Sequence, residues 1–129
     1  MRQVSFEGTI YSGKGVGKNF VALPWVTAQI ESKLGFSPYL GTLNLRLTEE
    51  SKEKRKTLDP EKGIMVKPQT GYLPGVLFQA SICGLECAIV LPLIPNYPSD
   101  VLEVISPLYL RGKLGLSDGK KVTVWVTLS

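Results

Sequence analysis

Alternation with a period of two dominates the hydrophobic pattern of this chain. Val4, Phe6, Gly8 and Ile10 interleave with Ser5, Glu7, Thr9 and Tyr11, the signature of a half-buried strand. The same period returns between Gly41 and Leu47, with Leu43, Leu45 and Leu47 on one face and Thr42, Asn44 and Arg46 on the other. It returns again at the end of the chain, where Val122, Val124, Val126 and Leu128 share a side between Lys120 and Leu128, after a turn at Asp118-Gly119. Further strands are predicted over Asn19–Leu23, Lys62–Thr70, Tyr72–Cys83, Glu86–Leu93 and Val101–Ile105. Helical spacing is confined to Trp25–Leu34, started by Pro24 and ended by Gly35, and to a brief helix or turn over Pro107–Leu114. Glu49–Lys62, where acids and bases alternate, reads as a solvated loop. Short strands with one or two short helices and no βαβ series predict an all-β fold, a closed or nearly closed barrel in one domain over residues 1–129.

Composition narrows the chemistry more than the fold. The chain has 129 residues, 43% of them hydrophobic and 20% charged, with a net charge of +4 that suits phosphate-bearing partners. No histidine is present, which removes Ser-His-Asp and Cys-His nucleophile systems and imidazole-ligated zinc. The two cysteines, Cys83 and Cys87, flank Gly84-Leu85-Glu86 and are expected to face each other across a tight hairpin as small buried hydrophobes. The apolar stretch from Ala80 to Ile94 is interrupted by Glu86 and Pro92, too short to span a bilayer, and no signal peptide opens the chain. A cytoplasmic protein without membrane contact is expected. The available reactive groups are carboxylates, hydroxyls, amides, Lys and Arg, with a hard metal ion.

Three segments could carry such chemistry. Gly13-Lys14-Gly15-Val16-Gly17-Lys18 follows the first strand, where converging amides and two lysines suit an anion, although a plain turn would favour the same glycines. It is not a Walker A loop, since no Ser or Thr follows Lys18. Thr42 and Asn44 lie two apart on a strand, so a hydroxyl and an amide oxygen share one face; they form either an outward polar surface or a site for a hard cation. Glu103 stands in the apolar run Val101–Ile105, either turned to solvent from an edge strand or buried as a base for a hydroxyl proton.

Taken together, Gly8–Phe20, Leu34–Leu45 and Asp100–Arg111 resemble the archaeal CTP-dependent riboflavin kinases in order and spacing, over nearly the whole chain. The resemblance implies a six-stranded cradle-loop barrel, riboflavin-kinase-like, and transfer of the γ-phosphate of CTP to riboflavin, giving FMN and CDP. It implies that Lys14, Gly15, Val16, Gly17, Lys18 and Asn19 wrap the CTP phosphates, and that Leu108, Tyr109, Leu110 and Arg111 frame the cytosine. It also implies that Thr42 and Asn44 hold Mg²⁺ and that Glu103 meets the flavin. The family's flavin-contacting Thr falls at Pro95, which has neither hydroxyl nor N–H, so that contact is either lost or supplied by Asn96 or Ser99. A monomer acting on riboflavin and CTP, with no nucleic-acid partner, is the expectation. The Pro-Thr-Ala-Asn signature of ATP-using riboflavin kinases is missing. The alternative is a small basic barrel that binds nucleic acid or regulates transcription, against which the few aromatics and absent basic stripe count.

Overall fold

The computed structural model describes residues 2–13 and 16–129. Seven strands form one antiparallel sheet: β1 (Arg2–Tyr11), β2 (Leu43–Leu47), β3 (Ile64–Val66), β4 (Gly75–Ile82), β5 (Leu85–Pro92), β6 (Val101–Ile105) and β7 (Lys121–Leu128). Their order is β3-β4-β5-β6-β2-β1-β7, and β7 pairs back onto β4, so six strands close into a barrel. The seventh, β3, shares an edge of β4 with β7. Residues 75–77 of β4 pair with β3, whereas Ala80, Ser81 and Ile82 pair with β7. Closure satisfies the backbone groups that an open edge would leave exposed.

Phe6, Ile10, Leu45, Phe78, Leu102 and Val124 belong to the buried cluster that the alternation predicts for one face of each strand. A second cluster lies on the other side of the wall, where Leu77, Ala88, Val90 and Ile105 meet Phe20, Val21, Val26 and Ile30. These last four residues come from helices α1 (Val16–Val21) and α2 (Pro24–Leu34). Strand β5 is therefore buried on both faces from Cys87 to Pro92, which explains its continuous rather than alternating apolar run. The longer helix starts at Pro24 and ends at Gly35, as its sequence predicts.

Four predictions are corrected. Asn19–Leu23 is not a strand: residues 16–21 are helical, because Gly17, Phe20 and Val21 recur at three- and four-residue spacing and all are buried on one face. Tertiary packing overrides the strand preference of Phe-Val. Glu49–Lys62 is not simply a loop, since it opens with α3 (Glu49–Lys54) and continues through 3₁₀ turns at Arg55–Thr57 and Pro60–Lys62. Thr48 caps α3 by accepting from the Ser51 N–H, acids fill its first turn, and lysines fill its last. The strand expected over Lys62–Thr70 shrinks to Ile64–Val66, because only these residues reach β4. The cysteines do not face each other: Cys87 sits opposite Ala80 and is buried, while Cys83 occupies the two-residue turn and is exposed. The brief helix or turn expected over Pro107–Leu114 is α4 (Leu110–Leu114).

Candidate active site

Strand register assembles the site. Tyr11 on β1 pairs with Asn44 on β2, and Asn44 pairs with Glu103 on β6, so three residues far apart in sequence form one row across the sheet. Because Leu43, Leu45, Leu102 and Val104 turn into the barrel core, the row projects from its outer face. There α1 roofs it. The side chain of Glu103 retains only 2% of its exposure, and Asn44 is also buried.

A buried carboxylate needs partners, and Glu103 has three. Its Oε1 accepts from the Gly17 N–H at 3.1 Å and from the Tyr97 hydroxyl at 2.5 Å; its Oε2 accepts from the Thr42 hydroxyl at 3.0 Å. Burial, followed by the charge of Glu103, pushes the Tyr97 phenol far above its ordinary range, so it remains a donor. The Arg55 guanidinium lies 5.6 Å from the centre of the Tyr97 ring and donates to the Val101 carbonyl, bracing the far side.

The Thr42 hydroxyl is also 2.7 Å from Asn44 Oδ1, so two acceptors compete for its single proton. When Thr42 donates to Glu103, lone pairs on Thr42 Oγ1 and Asn44 Oδ1 face each other. A hard cation is the chemical partner that such facing oxygens accept.

Thr42 and Asn44 form part of the wall of a cavity of 290 Å³. Its lining combines a polar group, Ser12, Gly13, Lys18 and Arg111, with an apolar one, Tyr39, Leu40, Leu108 and Tyr109. Arg111 bonds Asp118 at 2.8 Å, and Ser12 bonds the same oxygen at 3.0 Å, tying the end of β1 to the segment before β7. These hydrogen bonds, that from Arg111 above all, hold the Asp118 carboxyl below the usual carboxylate range.

The residues singled out from sequence divide accordingly. Thr42, Asn44, Lys18, Leu108, Tyr109, Leu110 and Arg111 all line the cavity. Glu103 lies directly behind Thr42 and is not turned to solvent. Lys14 and Gly15 fall outside the described residues. Val16 and Asn19 are exposed on α1 and do not line the cavity, and the Gly17 amide is already committed to Glu103. The glycine block is thus partly a helix that holds the carboxylate. Asn96 is exposed in a turn with φ of 62° and stands away from the cavity wall, as does Ser99. Sequence reasoning missed Tyr97, whose only signal was its place in the loop before β6, and Tyr39, a residue of the second motif to which no role had been assigned.

Comparison with known proteins identifies a family and relatives. The family model for CTP-dependent riboflavin kinases, described as "Domain of unknown function DUF120", matches residues 10–126. A riboflavin kinase of Archaeoglobus fulgidus is 43% identical over 97% of this chain, which spans 55% of that protein's length. One from Ignicoccus hospitalis is 38% identical over 97% of the chain and 72% of its own length. One from Sulfurisphaera tokodaii is 39% identical over 95% and 94% respectively. With the match running from β1 to β7 through every residue of the row, the chain belongs to the CTP-dependent riboflavin kinase family.

Proposed function

We propose that this chain transfers the γ-phosphate of CTP to the ribityl 5′-hydroxyl of riboflavin, yielding FMN and CDP. The observation that carries the reading is the oxygen cluster of Glu103, Thr42 and Asn44 bordering a cavity with both polar and apolar lining. Phosphoryl transfer demands little covalent chemistry of a protein; it demands alignment and neutralisation of charge. Lys18, with Ser12 and Gly13 beside it in the lining, suits a polyphosphate, and Leu108, Tyr109, Leu110 and Arg111 suit a base. Glu103 lies on the other side of Thr42, so the acceptor hydroxyl comes to it from outside the cavity. The carboxylate orients that hydroxyl and takes up its proton as the new P–O bond forms.

Thr42 and Asn44 would hold Mg²⁺, which supplies neutralisation of the phosphate charge. The residues fit such an ion, since their oxygens are hard, uncharged and 2.7 Å apart, and Mg²⁺ draws its remaining ligands from phosphate and water. The phenol of Tyr97 and the amide of Gly17 keep the Glu103 side chain in one rotamer. Asn96 would contact the flavin beside Glu103, to which the adjacent Tyr97 is bonded. Among the described residues no helix is long and apolar enough to cross a membrane.

Incubation with riboflavin, Mg²⁺ and either CTP or ATP, followed by chromatography, tests the reading. FMN from CTP is the expected product. FMN from ATP alone would retain the kinase and overturn the cytosine preference; no FMN from either nucleotide, with folded protein, would overturn the reaction.

A further inference from the structure

Phosphoryl transfer itself makes no use of the apolar lining of the cavity. Tyr39, Leu40, Leu108 and Tyr109 belong to that lining with 47%, 67%, 42% and 51% of their surfaces exposed. Single exposed hydrophobics are ordinary, whereas a contiguous group beside a cavity marks a face that something covers. Two of the four come from segments distant in sequence that β2–β6 pairing brings side by side. Tyr39 lies between α2 and β2, Tyr109 between β6 and α4, yet their ring centres are only 5.0 Å apart at a tilt of 31°.

Both rings are held from behind. The Tyr39 N–H donates to the Ser106 carbonyl at 2.8 Å, and the Ser106 hydroxyl accepts from the Leu108 N–H at 3.1 Å, so one residue anchors both segments. Tyr109 packs against Gly112, where an added Cβ would come within 2.9 Å of the ring. The pair is thus a built aromatic surface in the cavity lining.

Resting on the reading of this cavity as the nucleotide site, we propose that Tyr39 binds the base of the donor nucleotide. Its ring, with that of Tyr109, stacks on the pyrimidine and supplies affinity through its π-face. A π-face is common to every base, so Tyr39 sets how tightly a nucleotide is held, while groups that meet the base edge set which one is preferred. The polyphosphate gains nothing from it.

Calorimetric titration with CTP and with inorganic tripolyphosphate separates these contributions. Tyr39→Ala is expected to weaken CTP by about 5- to 150-fold, the range of one lost base–aromatic stack, and to leave tripolyphosphate within about twofold. Tyr39→Phe, which keeps the ring, is expected to bind CTP like the wild type. In turnover, the alanine variant is expected to raise KM for CTP while kcat at saturation holds. An unchanged CTP affinity in Tyr39→Ala would overturn the stacking role alone. Equal weakening of CTP and tripolyphosphate would overturn it in favour of general support of the cavity. Loss of affinity in Tyr39→Phe as large as in Tyr39→Ala would assign the effect to the hydroxyl and overturn it too. Wild-type protein that takes tripolyphosphate but not CTP would overturn the nucleotide reading itself.

Discussion

Gly17 is needed at its position because of what lies opposite. A methyl group built there would come within 2.5 Å of Glu103 Oε2, and the carboxylate has little room to retreat between Tyr97 and Thr42. On the proposed reaction, Gly17→Ala is expected to lower the initial rate of FMN formation by about 10- to 100-fold, the scale of a displacement near 1 Å in an aligned reaction. A rate close to wild type at saturating substrates would mean that the position of Glu103 is not critical. Of the site residues, those in motifs with a distinctive side chain were legible in the sequence: Thr42, Asn44 and Glu103. The function of Gly17 was legible only as a glycine in a glycine-rich stretch, because a close approach depends on a neighbour 86 residues away. Tyr97 was harder still, since nothing local marks a phenol that will meet a buried carboxylate.

Elements show the same division. Alternation revealed β1, β2 and β7 because each has one face in the barrel core and the other in a different environment. It gave no such guidance for α1, six residues long, whose apolar residues read equally well as a short strand. The alternating charges after β2 concealed α3, although Thr48 and the acidic first turn are proper start signals. That helix is also a patch on the barrel. The Ser51 hydroxyl accepts from the Glu7 N–H at 2.8 Å, and the Thr48 N–H donates to the Glu7 carbonyl, just beyond the point where β2 stops pairing with β1. Thr48→Ala removes the cap while leaving the backbone bond. It is expected to cost about 1 kcal/mol, seen as a lower urea midpoint, with kcat for FMN unchanged. A midpoint equal to wild type would mean that α3 is held by its tertiary contacts alone.

For the molecule as a whole, β5 is a wall buried on both faces, and Cys87 reports on it. Burial, with the charge of Glu86, raises its thiol to about 12, so the folded state keeps a proton that the unfolded chain sheds near pH 9. The unfolded state then binds fewer protons, and stability falls as pH rises from about 9 to 12, by up to about 1.4 kcal/mol per pH unit. Cys87→Ala is expected to be less stable at pH 7 yet to have a shallower slope in that window, measured by urea unfolding at successive pH values. An identical slope would show that the thiol opens to solvent before the fold does. The sequence by itself determined the class of fold, the strand faces, the limits of α2 and the absence of imidazole chemistry, because each follows from residue type and local spacing. Only the tertiary structure decided that Glu103 is enclosed, that α1 roofs it, and that Tyr97 and Tyr39 stand where they do. Those outcomes depend on strand register and barrel closure, which bring together residues whose own neighbourhoods carry no trace of one another.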